Sequence, residues 1–190
     1  ADVTAAQAEA TAPLDRDSTE NPYTVHAELQ NIMTELVGLI RTEKEMEQAL
    51  GEIEKLRERT VTVGSPGGRC YNPGWHLALD LRNMLIVAEC VAMAALERQE
   101  SRGGHTRDDY PQMSPEWRKI NLICTLDHDR VQLTRQPLEP IRADLLTLFD
   151  RSELKKYMTD EELPPEKAAA PTAASPVPAK PGPATPEEKS

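Results

Sequence analysis

The densest set of chemically capable side chains lies at Arg102-Gly103-Gly104-His105-Thr106-Arg107-Asp108-Asp109-Tyr110. Arg102 and Arg107 could each grip a carboxylate or phosphate through two N–H groups, His105 could move a proton near neutral pH, and Asp109 could orient His105. A catalytic reading requires these groups to converge in a concave pocket, and a small helical domain offers little concavity. The other reading is an ion-paired clasp that holds the chain against a neighbouring domain or subunit. Arg102, His105, Arg107 and Asp109 are therefore candidate docking residues.

The remaining polar clusters point to plainer roles. Asp127-His128-Asp129 superficially resembles a metal loop, but a polar turn between two strands accounts for all three residues. His76 beside Trp75 suggests capping or core hydrogen bonding more than ligation, because a metal needs several ligands at matching spacing. Gly64-Ser65-Pro66-Gly67-Gly68 lacks both the spacing of a dinucleotide fingerprint and the Lys-Ser or Lys-Thr of a phosphate loop. Cys90 reads as a small core residue rather than a nucleophile. With Cys70 and Cys124 it makes an odd, widely spaced set, which favours a reducing compartment over a disulfide scaffold.

The elements that must position the polar run are mostly helical. A net charge of −10 and a pI near 4.9 argue against a nucleic-acid partner, and an aromatic content of 4% leaves burial to aliphatic side chains and Ala. The packable part runs from about Asn21 to Leu163. Residues 1–20 form a linker or lead-in, with a short Ala-driven helix over about Asp2 to Ala12. After Asn21-Pro22, the positions Val25, Leu29, Ile32, Met33, Leu36 and Ile40 step by threes and fours, as on an amphipathic helix. Thr42 and Glu45 read as a capping box at the start of a second helix carrying Met46, Ala49, Leu50, Ile53 and Leu56. These two predict an antiparallel helical hairpin.

The segment from about Pro73 to Gln99 is apolar nearly all round, so it belongs in the middle of a larger body, with Gly103 and Gly104 expected to stop it. Beyond Pro115 the period shortens to two, predicting two short strands around Asp127 to Asp129. Ile141 to Phe149 suggests one more helical or irregular segment. The predicted fold is mainly α, a three-helix bundle-like domain at 21–111, a hairpin-containing extension at 112–162 and a Pro/Ala-rich disordered tail at 163–190. No apolar run is long enough to span a bilayer, so the chain alone is expected to be soluble. Its first residue is Ala, which fits a processed chain or a piece of something longer.

Four motifs in order, Asn72-Pro73-Gly74-Trp75, then 78–89 (ALDLRNMLIVAE), 95–105 (ALERQESRGGH) and 107–111 (RDDYP), resemble the C-terminal region of succinate dehydrogenase and fumarate reductase flavoprotein subunits. The stretch 21–41 looks like the first helix of that region. The resemblance implies an FAD enzyme that interconverts succinate and fumarate and passes electrons to an iron-sulfur subunit. It implies that the flavin fingerprint, the flavin-linked His and the dicarboxylate-binding residues lie upstream. No catalytic, cofactor-binding or metal residue is carried over to this chain, and no cofactor is expected in it alone. The implied partners are the FAD and capping domains, the iron-sulfur subunit and, indirectly, membrane anchor subunits, with no nucleic acid. The implied location is the cytoplasmic side of the inner membrane, or the matrix side in a mitochondrion. L-aspartate oxidase is similar over the helical region, including Ser101-Arg102-Gly103. A stand-alone helical interaction module is the alternative from a different class.

Overall fold

The computed structural model describes residues 2–165. The chain is mainly α, with a three-helix unit followed by a β-hairpin. The disordered tail expected at 163–190 lies, from residue 166 on, outside the described residues.

Helix α1 (Asp2–Asp15) is followed by α2 (Pro22–Leu36), α3 (Glu43–Thr60) and α4 (Pro73–Glu97). Helices α2 and α4 begin alike. Asn21 caps α2 by accepting from Tyr23 N–H at 2.8 Å, Asn72 caps α4 by accepting from Trp75 N–H at 3.0 Å, and each Asn precedes a Pro in the first turn. Pro suits that position because its missing N–H has no partner to lose there. The capping box forms at α3: Thr42 Oγ1 accepts from Glu45 N–H, and Glu45 Oε2 accepts from Thr42 N–H at 3.0 Å.

The core is built from one stripe on each helix. Val25 and Leu29 of α2, Ala49, Ile53 and Leu56 of α3, and Leu81, Leu85, Ala88 and Ala92 of α4 form a single buried cluster. Each Leu or Ile so buried stabilises the fold by about 1.5–3 kcal/mol relative to an exposed one. The α4 stripe changes from Leu to Ala toward its C-terminus, where small side chains allow close helix approach. Ion pairs reinforce the packing at the rim, with Arg57 reaching Glu89 and Arg59 bonding Glu20 at 3.0 Å and Glu28 at 2.5 Å.

Helix α2 ends at Leu36, earlier than the apolar spacing through Ile40 predicts. Ile40–Arg41 instead forms a short strand, β1, parallel to β2 (Thr106–Arg107), with Arg41 opposite Arg107. A Cβ at Gly38 would come within 2.6 Å of the Thr34 carbonyl oxygen, so only glycine allows this tight exit. The glycines at 103 and 104 do not end α4, which stops at Glu97. They make the two-residue turn of an Arg102–His105 bridge, with Gly103 in the left-handed region at φ 59°.

A single 3-10 turn at Trp117–Lys119 leads into the antiparallel hairpin β3 (Ile120–Asp127) and β4 (Arg130–Pro137). His128 and Asp129 form its turn, both with positive φ. Val131 is buried and Ile120, Leu122, Cys124 and Leu133 are half-buried, which defines the row facing α4. The compact unit holding all these elements ends at Pro140, so α1 and the hairpin share it with α2, α3 and α4. Trp75 Nε1 donates to the Ala10 carbonyl at 2.7 Å, which docks α1 as part of this unit. The second unit, from Ile141, contains α5 (Ala143–Leu146) and α6 (Arg151–Leu154).

Thr42→Ala removes the hydroxyl acceptor of the capping box and is expected to lower stability by about 1 kcal/mol. Urea denaturation reads this as a lower midpoint at an unchanged slope.

Candidate docking site

The polar run folds back on the end of α4. Arg107 is 1% exposed, and its guanidinium donates to both Asp109 carboxylate oxygens, at 2.7 and 2.6 Å. Its other terminal nitrogen donates to the carbonyls of Ala95 at 3.0 Å and Leu96 at 2.9 Å. Those carbonyls are the unpaired acceptors at the negative end of the helix dipole, so Arg107 caps α4. Asp109 Oδ2 in turn accepts from Glu43 N–H, at 2.8 Å, in the first turn of α3. One ion pair thus places a cation at the C-terminus of α4 and an anion at the N-terminus of α3. Hydrogen bonding from Arg107 pulls the Asp109 carboxyl down to about 2, with its backbone acceptor role at Glu43 adding to the effect.

A buried anion, Glu100, lies alongside. Glu100 is fully buried and accepts from Arg98 at 2.6 Å, from Arg102 at 3.0 Å and from Ser114 N–H at 2.9 Å. Burial raises its pKa, but Arg102, the Ser114 amide and Arg98 together outweigh burial and leave it below the usual carboxylate range. Arg98 also donates to the carbonyls of Trp117 at 3.1 Å and Ile120 at 2.9 Å, tying the hairpin entrance to the helix end. The Trp117 ring sits against both Arg98 and Arg135, at 5.4 and 4.7 Å. Arg135 completes the link by donating to Glu97 at 2.7 Å.

His105 is held at both nitrogens. Arg41 approaches Nδ1 at 2.9 Å and the Arg98 carbonyl lies 3.0 Å from Nε2. A guanidinium only donates and a carbonyl only accepts, so Nδ1 accepts, Nε2–H donates and the ring is neutral. Burial lowers its pKa first, the hydrogen bond to Arg98 opposes this, and the charges of Arg41, Arg107 and Arg98 lower it further. A proton shuttle would need one of these nitrogens free, so the arrangement suits positioning and not proton transfer.

The four residues singled out in the sequence lie in one folded-back segment, but Asp109 bonds Arg107 and Glu43 N–H rather than orienting His105, which is held by Arg41 and the Arg98 carbonyl. The sequence reading missed Arg41, Arg98 and Glu100. A usable signal existed for two of them: Arg98, Glu100 and Arg102 alternate in a chain leaving a helix, and extended backbone puts alternate residues on one side. Arg107 and Asp109 follow the same rule. Arg41 gave no such signal, being 64 residues from His105. His76 is exposed and leans against Trp75 with ring centroids 5.5 Å apart, so it neither caps α4 nor bonds within the core.

Away from the clasp, α4 has one face that the described residues leave uncovered. Val87 and Val91 are 61% and 42% exposed, beside an apolar groove of about 530 Å³ between α2 and α4. Leu29, Met33 and Met84 line it, with His26, Gln30, Asp80 and Asn83 as polar members. A helix built of apolar residues nearly all round has no reason to leave this face in water unless another surface covers it. Among the described residues, no helix is long and apolar enough to cross a membrane, and no group of three or more His, Cys, Asp or Glu is placed to hold a metal ion.

Residues 26–160 match the family described as fumarate reductase flavoprotein C-term. The chain is similar to a chain in the structure of the Mycobacterium smegmatis Sdh1 complex in the apo form, with 51% identity and a TM-score of 0.75 over 85% of this chain and 28% of that one. It is 35% identical over 138 residues to the fumarate reductase flavoprotein subunit of Helicobacter pylori, covering 67% of this chain and 19% of that protein. It is also 34% identical over 95 residues to the L-aspartate oxidase of Acinetobacter baylyi, covering 50% of this chain and 16% of that protein. The chain spans about a fifth of the length of the curated relatives it matches.

Asp109→Asn removes the counter-ion of buried Arg107 from a partly open position, with an expected loss of about 1–3 kcal/mol in equilibrium denaturation. The clasp is also pH-sensitive. The folded pKa of His105 is depressed, so its contribution is complete above the unfolded value of about 6.5 and is lost as pH falls toward the folded one. Thermal unfolding followed from pH 7 to pH 5 should show a falling midpoint. His105→Gln should flatten that slope.

Proposed function

The chain belongs to the fumarate reductase flavoprotein C-terminal family, and from that membership we propose that it is the helical supporting part of a succinate dehydrogenase or fumarate reductase flavoprotein subunit. In this reading the complete subunit interconverts succinate and fumarate through FAD and passes electrons to an iron-sulfur subunit. The present chain supplies structural support and docking. The observation that carries this reading is the uncovered apolar face of α4 at Val87 and Val91, in a chain that matches only a fifth of its relatives. A face of that kind is suited to the remaining body of the same subunit.

The exposed edge of the clasp is the polar part of the proposed docking surface. Arg102 and Asp109 keep 26% and 27% of their side chains open, and His105 is half-buried, while buried Arg107 holds Asp109. FAD belongs to the parent subunit in this proposal. Dinucleotide binding takes a glycine-rich turn between a parallel strand and a helix, and the parallel strands described here are two residues long with no such turn. The residues present do not fit the cofactor, so no flavin step is assigned to them. The iron-sulfur subunit is the proposed direct partner outside the flavoprotein, and membrane anchors are reached through it. The proposed location of the assembly is the inner membrane, on its cytoplasmic side or on the matrix side in a mitochondrion.

The corresponding region of an L-aspartate oxidase is the second reading, favoured by the likeness to the Acinetobacter baylyi enzyme over half of this chain. The higher identity to the Mycobacterium smegmatis complex, over a larger share of the chain, supports the first.

The isolated chain should show no visible flavin absorption and no succinate oxidation. Bound flavin or turnover in that preparation would sink the supporting role. In the full-length flavoprotein, Val87→Asp combined with Val91→Asp should lower flavin occupancy, read as the ratio of flavin to protein absorbance, and reduce Tm. Unchanged values would remove this face from the docking surface.

A further inference from the structure

The β3–β4 hairpin is tied to α4 by polar contacts at both of its ends. Near Trp117 the ties are Arg98 and Arg135; at the turn, Arg82 bonds Asp129 at 2.7 Å. Between these ends the row facing the helix includes Cys124, and the helix presents Cys90 to it. The Cys124 thiol donates to the Cys90 carbonyl at 3.9 Å, which sets it against the helix at Cys90. Both are half-buried and reduced, on separate elements 34 residues apart in sequence.

We propose that Cys90 and Cys124 are a reversible dithiol–disulfide pair whose oxidation by a low-molecular-weight disulfide staples the hairpin to α4. The reaction has two exchange steps. The Cys124 thiolate attacks one sulfur of the reagent, forming a mixed disulfide and releasing one reagent thiolate. The Cys90 thiolate then attacks the Cys124 sulfur, closing the protein disulfide and releasing the second. Two protein thiols lose two electrons and two protons, and the reagent is reduced to two thiols. Burial, and then the neighbouring Cys124, push the Cys90 thiol up, which suits it to the second step, when Cys124 has already reacted and no longer repels it. Linking the two elements closes a loop of over thirty residues and removes unfolded conformations in which hairpin and helix are apart.

Cys70 is exposed on a different loop and serves as an internal measure of reagent exposure. The full-length flavoprotein in its native complex is treated with oxidised glutathione, blocked, and digested with trypsin without reduction. The expected product is residues 83–98 joined to residues 120–130, two hydrogens lighter than the separate peptides and released by dithiothreitol. Oxidised protein should unfold about 5 °C higher than reduced protein, and Cys124→Ala should abolish that rise. Cys70 fully glutathionylated while Cys90 and Cys124 remain thiols, or carry only separate adducts, overturns the proposal. A linked peptide that forms only after denaturation also overturns it. If Cys124→Ala fails to fold, the peptide map of the unmodified sequence still decides.

Discussion

The ion pair between buried Arg107 and partly open Asp109 locks together the ends of two helices that the core already packs side by side. Arg107 caps the carbonyl end of α4 and Asp109 caps the amide end of α3, and the two are locked together through paired hydrogen bonds. A buried guanidinium is tolerable only if all its donors find acceptors, because each unpaired charge-bearing group carries a large desolvation penalty. Here the helix end supplies acceptors that would otherwise be orphans. Beside it β1 pairs with β2, where Arg41 lies opposite Arg107 and its backbone carbonyl accepts from Asp108 N–H at 3.0 Å.

Around this pair the clasp holds an excess of cations. Four guanidiniums, from Arg41, Arg98, Arg102 and Arg107, surround two carboxylates, from Glu100 and Asp109. Carbonyl oxygens take up the balance: those of Ala95 and Leu96 at the helix end, Ser114 beyond it, and Trp117 and Ile120 at the hairpin entrance. Their partial negative charge explains why a strongly basic cluster persists in an acidic chain. It also explains the neutral His105, since a further positive charge would meet three guanidiniums at close range.

The apolar and polar halves of the region act on different scales. The stripe of Leu81, Leu85, Ala88 and Ala92 packs inward against α2 and α3 and forms the local core. Val87 and Val91 continue the apolar character outward, where the described residues leave them exposed. The clasp fixes the end of the helix, so the outward face is presented as a rigid surface. That combination fits the proposed supporting role.

Much of this was legible in the residues alone. The three-and-four spacing of Val25, Leu29, Met46, Ala49 and Ile53, the capping box at Thr42 and Glu45, and the alternation of Ile120, Leu122 and Cys124 each specify an element through local backbone geometry. So did the ion-paired character of Arg102 to Asp109. Tertiary structure alone decided which groups complete that clasp. Arg41 arrives from a distant turn, Glu100 is buried between two arginines, and Gly103 turns the chain instead of ending the helix. The physical reason is that periodicity and capping act within a few residues, whereas satisfying a buried charge depends on whatever donor or acceptor the completed fold brings within hydrogen-bond reach.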